Sequence, residues 1–114
     1  MTRSPQETFA AHFEALTGGD LKRLLEDYSE DAVIVTDQGV LTGHAGIEGF
    51  YMNALQLLPE PRFAVTNAVY ADDAALVRWT AQSAGGRVDD GVDTFVFLDG
   101  RVRIHTTHFT LQPA

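Results

Sequence analysis

Three ionisable side chains stand where their neighbours give no reason for polarity. His12 lies in the series Phe9, His12, Phe13, Leu16, whose i, i+3, i+4, i+7 spacing draws one apolar helix face. Asp93 shares strand parity with Phe95 and Phe97, and His105 shares it with Thr107 and Phe109. Histidine and aspartate are side chains that exchange protons in catalysis, so three of them converging in an apolar setting would do acid–base chemistry. Each has a plainer reading. His12 is either a core histidine satisfied by a carbonyl or a water, or a titratable group aimed into a cavity. Asp93 is either an ionised carboxylate in water at a strand end, or a carboxyl raised by desolvation that donates a hydrogen bond. Asp37 ends a β-branched run and opens a turn, which makes it a turn aspartate or a general base. Trp79, Phe95 and Phe109 are the aromatic walls such a site would need, with Tyr51 a further ligand contact. His105 and His108 fall on opposite faces of one strand and so make no metal-ligand pair. No metal or cofactor is implied.

The elements that must position these residues follow from periodicity and punctuation. Ser4-Pro5-Gln6-Glu7 reads as a capping box with proline at the first helical position, and Gly18-Gly19 ends that helix. Asp20 caps a second helix with Leu21, Leu24, Leu25 and Tyr28 on one face. Ala32 to Thr36 is a strand, and a short strand is possible around Val40-Leu41. A third helix carries Ile47, Phe50, Tyr51, Ala54 and Leu58, and Gly46 and Gly49 leave room for close packing there. Strands are expected at Arg62 to Tyr70, Ala74 to Ser83, Val92 to Leu98 and Arg101 to Leu111, with Gly85-Gly86 and Asp89-Asp90-Gly91 as a loop or a frayed hairpin. Asp99-Gly100 is the strongest hairpin signal. Helix, helix, strand, helix, then a four-strand meander predicts an α+β fold: a cone-shaped, curved, mostly antiparallel sheet wrapped over three helices around a hollow (an α+β barrel or cystatin-like roll).

Composition narrows the function classes. The 114 residues suit a single domain over 1–114, and 45% hydrophobic content with seven Phe, three Tyr and one Trp provides a core. There are no cysteines, which excludes disulfides, thiolate catalysis and Cys-based zinc sites. A net charge of −8 repels phosphate backbones, so no nucleic-acid partner is expected. With no apolar run long enough to span a bilayer and no signal-peptide core, the expectation is a cytoplasmic protein without a membrane partner.

Three stretches carry a family resemblance: Leu16-Thr17-Gly18-Gly19-Asp20-Leu21 through Tyr28-Ser29-Glu30-Asp31-Ala32-Val33; Gly43-His44-Ala45-Gly46-Ile47 through Phe50-Tyr51; and Asp93 through Val102 with its Asp99-Gly100 turn. Over nearly its whole length the chain resembles the nuclear transport factor 2-like superfamily, in its SnoaL-like and ketosteroid-isomerase-like branch. Those isomerases use a tyrosine on the first helix, an aspartate base after the first strand and a protonated aspartate on the penultimate strand. The resemblance places these at His12, at Thr36 with Asp37 next to it, and at Asp93. It also puts His105 and Phe109 on cavity-lining positions. It implies an isomerase, cyclase or dehydratase acting without a cofactor on a small hydrophobic carbonyl compound, with His12 as acid or base and Asp93 as acid or orienter. The alternatives are a non-catalytic ligand-binding domain or a dimerisation unit, and a homodimer is expected by analogy.

Overall fold

The computed structural model describes residues 2–114. Helix α1 spans Pro5–Thr17 and opens on the expected capping box: the Glu7 N–H donates to Ser4 Oγ at 3.1 Å and the Ser4 N–H to Glu7 Oε1 at 2.8 Å. Helix α2, Leu21–Glu26, starts at Asp20, whose carboxylate accepts from the Arg23 N–H. It stops earlier than its apolar spacing suggests. The Asp27 N–H closes a tight last turn on the Leu24 carbonyl, and the Asp27 carbonyl accepts from the Val102 N–H at 2.8 Å. The chain is thus captured by a strand at once, and Tyr28 opens β1, Tyr28–Thr36, instead of finishing a helix face.

Strand β2, Gly39–Thr42, pairs back on β1, and α3 follows over Gly43–Leu57. Ile47 and Tyr51 are the buried positions of α3, and Gly46 lets its backbone approach Leu41 on β2. Four long strands complete the chain: β3 at Arg62–Ala71, β4 at Ala74–Ser83, β5 at Gly86–Leu98 and β6 at Arg101–His108. Asp99 and Gly100 both take positive φ, 52° and 76°, in the two-residue turn joining β5 to β6.

Two strand boundaries differ from the sequence expectation. β5 begins at Gly86, not Val92, because its first residues pair both with β4 and with a two-residue strand β7, Gln112–Pro113. β6 ends at His108, not Leu111, because Asp90 draws the chain out of the ladder by accepting from the Thr110 N–H and hydroxyl at 2.8 and 2.7 Å.

The sheet runs β2-β1-β6-β5-β4-β3, with β7 on β5; β1 lies parallel to β6 and the other pairs are antiparallel. Register shifts interrupt the β1–β6, β3–β4, β4–β5 and β5–β6 ladders. Each such irregularity bends and twists its strand, which curls the sheet into an open cone around the helices. One apolar cluster, including Leu24, Ile34, Ile47, Phe95 and Val102, fills the closed end. A smaller one, Leu58, Ala81 and Val88 with Phe63, Trp79, Phe109 and Leu111 against it, lines the other. The hollow lies between them. Among the described residues no helix is long and apolar enough to cross a membrane.

Candidate active site

Strand register assembles the polar centre. On the β5–β6 pair, Phe95 lies opposite His105 and Asp93 opposite Thr107. Directly opposed side chains on one face touch, so the His105 imidazole stacks on the Phe95 ring at 4.2 Å and 21°. The Thr107 hydroxyl donates to Asp93 Oδ1 at 2.6 Å. From β4, Trp79 Nε1–H donates to the same oxygen at 3.0 Å. Trp79 reaches it because its cross-strand partner is Gly91, where any Cβ would collide with the indole ring. The other carboxylate oxygen, Oδ2, pairs with His105 Nε2 at 2.8 Å.

His105 also engages its second nitrogen. Nδ1 lies 2.8 Å from the Tyr28 hydroxyl, which in turn lies 2.7 Å from that of Tyr51. A continuous hydrogen-bonded chain thus runs Asp93–His105–Tyr28–Tyr51 through β5, β6, β1 and α3. His12 packs its ring edge-on against Phe95, Tyr28, Tyr51 and His105, at 5.5, 5.6, 6.1 and 6.3 Å between ring centres. It is buried, and its Nδ1 has no hydrogen-bond partner.

The environment sets the charges. Burial acts to raise the Asp93 carboxyl, but His105 beside it and the hydrogen bonds from His105, Thr107 and Trp79 outweigh it and hold the group below its usual range. Asp93 is therefore an ionised carboxylate. It is neither the protonated donor that the isomerase comparison implies nor a group bathed in water, since only 14% of its side chain is exposed. Burial, helped by His105 and opposed by Asp93, pulls His12 down to about 3, so it is a neutral imidazole at physiological pH. Burial first, then the neighbouring tyrosine and acidic groups, raises Tyr28 well above the usual phenol range; burial likewise raises Tyr51.

These groups border a cavity of about 80 Å³, room for on the order of five waters or a single ring. His12, Tyr51, Trp79, Asp93, Phe95, His105 and Phe109 all line it. Asp37 does not. It sits at the exposed β1–β2 turn, 3.9 Å from His108 across an open groove of about 600 Å³, and it cannot be the cavity's base. The groove and the cavity share Phe50, Leu57, Thr107, Phe109 and Leu111 as a common wall. Sequence reasoning placed Tyr28 on a helix and left Thr107 without a role. The parity of Ala32 and Ile34, read backwards, points to Tyr28, and that of His105 to Thr107. Among the described residues no three His, Asp or Glu side chains are grouped to hold a metal ion.

No curated protein matches the chain in sequence. Solved structures match its shape. IdmH, a proposed polyketide cyclase from Streptomyces antibioticus, superposes with a TM-score of 0.83 at 22% identity, over 94% of this chain and 92% of its own. A proposed ketosteroid isomerase from Kribbella flavida gives 0.80 at 21% identity, over 96% and 79%. A protein of unknown function from Burkholderia xenovorans, described as NTF-2 like, gives 0.79 at 19% identity, over 96% and 84%. At these identities the likeness speaks for the fold. The SnoaL-like domain family matches residues 9–105, from the first helix to the histidine at the centre of the cavity. The chain is a member of the SnoaL-like family, within the NTF2-like superfamily.

Proposed function

We propose that the cavity binds a small hydrophobic carbonyl compound and moves a proton on it, as an isomerase or cyclase does. The observation that carries this reading is Asp93: an ionised carboxylate held by three donors and turned into a cavity whose walls are largely aromatic and aliphatic. A buried charge is costly, and a fold that keeps one inside a hollow by surrounding it with donors marks that carboxylate as a functional group, here the proton acceptor. In this reading Asp93 takes the proton from the carbon beside the carbonyl, and His105 stabilises the pair as the charge shifts. Neutral His12 offers a hydrogen bond to the carbonyl oxygen, as imidazole and not imidazolium. Phe95, Phe109, Trp79 and Tyr51 enclose the ring.

The test is substrate-agnostic. Small cyclic ketones incubated with the protein in heavy water should exchange their α-protons faster than in buffer, followed by proton NMR. Asp93→Asn should abolish the exchange while ketone binding persists. Exchange no faster than buffer across the panel, or unaffected by Asp93→Asn, would sink the catalytic reading.

The lowered pKa values of Asp93 and His12 favour one alternative, because both are weak bases: a non-catalytic domain that holds the same class of ligand. Binding without exchange is its signature. The outer sheet face also suggests a second copy as partner. Val35 on β1, Leu76 on β4 and Val69 on β3 lie along one cross-strand row that passes through Thr106 and Thr94, with Ile104 on the adjoining row, and all four apolar side chains are exposed. A homodimer through that face is proposed on this basis, and sedimentation of Leu76→Lys beside the unaltered protein tests it.

A further inference from the structure

The hydrogen bonds of the site have a direction. Ionised Asp93 only accepts, so the proton between it and His105 belongs to Nε2. With that single proton on the ring, Nδ1 is bare and takes the Tyr28 hydroxyl proton, and the Tyr28 oxygen takes that of Tyr51. Every proton in the chain points towards Asp93. The remaining donors do the same: the Thr107 hydroxyl and the Trp79 N–H are both committed to Oδ1. What the site leaves for a ligand is therefore a surplus of acceptors, the lone pairs of Asp93 and of the Tyr51 oxygen. Only His12 retains an uncommitted N–H. A ligand that brought carbonyl groups alone would leave those acceptors desolvated and unpaired, which weakens its binding.

We propose that the cavity selects a ring compound bearing a hydroxyl group, and that the proton of this hydroxyl enters at Tyr51 and is stored on the His105–Asp93 pair. The selection stands on hydrogen-bond polarity alone; the proton step deepens the acid–base reading above and rests on it. In that step the ligand O–H bond breaks as a new Tyr51 O–H forms. The original Tyr51 proton passes to Tyr28, and the original Tyr28 proton passes to His105 Nδ1. The ligand is left as an oxyanion and His105 as an imidazolium against the Asp93 carboxylate. Total charge is unchanged and nothing is oxidised or reduced. Burial keeps both tyrosines from ionising, so the protons must move together, without a free tyrosinate. Afterwards the bonds linking His105 Nδ1, Tyr28, Tyr51 and the ligand are reversed, the bond from Nε2 to Asp93 keeps its direction, and Tyr51 presents its O–H to the ligand oxyanion that it has just created.

The probe is para-nitrophenol against para-nitrotoluene, two rings of nearly equal size that differ in the hydroxyl. The phenol should bind about tenfold tighter or more. Bound phenol should show the visible phenolate band at a pH where the free compound is protonated. Tyr28→Phe keeps the ring and cuts the chain, so it should lose the band and most of the preference. Equal binding of the two probes, no binding of the phenol, or a Tyr28→Phe variant that retains preference and band would overturn the proposal. Nitrogen NMR of His105 gives a second readout that needs no ligand. The unaltered protein should carry the proton on Nε2. In Asp93→Asn, Trp79 fixes the amide oxygen at the Oδ1 position, so the amide nitrogen faces His105 and its proton must move to Nδ1. An unchanged tautomer in that variant would equally refute the directed chain. Loss of α-proton exchange with the hydroxyl preference intact would remove the catalytic reading and leave the selection standing.

Discussion

Replacing His12 with phenylalanine removes a buried imidazole that stays neutral in the folded protein, and the consequence is a change in how stability depends on pH. The group titrates at about 3 in the fold and at its ordinary 6.5 when unfolded. Between those values the unfolded chain binds more protons than the folded one, so stability falls as pH falls through this window. From about pH 7.5 to about pH 5 the loss due to His12 alone is roughly 2 kcal/mol, and by about pH 4 it is roughly 3 kcal/mol. Asp93 has the same sign, but its depressed carboxyl costs stability only below the ordinary 3.8, at the acid edge of the range. Urea unfolding of the unaltered protein and His12→Phe at several pH values measures the effect directly. The variant should be less sensitive to acid, and the gap between the two stabilities should move in its favour by roughly 2 kcal/mol on going to about pH 5. Parallel pH curves would mean that the imidazole is charged or hydrated in the fold, and the argument from burial would fail.

Two further changes probe the support of the carboxylate. Trp79→Phe removes one donor from Asp93 Oδ1; a hydrogen bond to a charged group is worth about 1.5–3 kcal/mol, so the Asp93 carboxyl should rise by about one to two pH units in a carbon NMR titration. Gly91→Ala drives a methyl into the indole and should destabilise the fold by about 1–3 kcal/mol, with a shifted Trp79 fluorescence maximum in the folded state.

Much of the fold was legible because local and long-range signals agreed. Ser4 and Glu7 form the capping box that their spacing announces, Asp99-Gly100 forms the hairpin turn, and Phe95 with Phe97 turns Asp93 inwards. Tyr28 was misread because Leu21, Leu24, Leu25 and Tyr28 keep helical spacing, whereas the helix is cut at Asp27 by a hydrogen bond to Val102, far along the chain. No local pattern encodes that bond. The start of β5 was obscured for a related reason: Gly86 and Gly91 look like loop residues, yet one pairs with β7 and the other makes room for an indole. The protonation of Asp93 was the hardest to foresee. Its parity predicts an aromatic neighbourhood, which taken alone would raise the carboxyl. The three donors that reverse the shift come from two other strands, and their convergence depends on register.

That dependence on register gives the site its chemical character. Asp93 draws Trp79, Thr107 and His105 to itself because each is cross-strand or diagonal to it on one face of the sheet. A slip of a single residue between β5 and β6 would turn the inward side chains of one strand to the outer face and disperse the donors. The Asp99-Gly100 turn, the β5–β6 irregularity at Val96/Phe97 and the Gly91–Trp79 contact fix the alignment. Once it is fixed, the carboxylate commits the surrounding donors, and the cavity faces its ligand with acceptors. The polarity of the pocket is thus a consequence of strand alignment, which is why fold-level likeness to other members of the family does not transmit it. A relative with the same cone but a different residue opposite position 93 would present a different pattern of donors and acceptors, and so admit a different ligand.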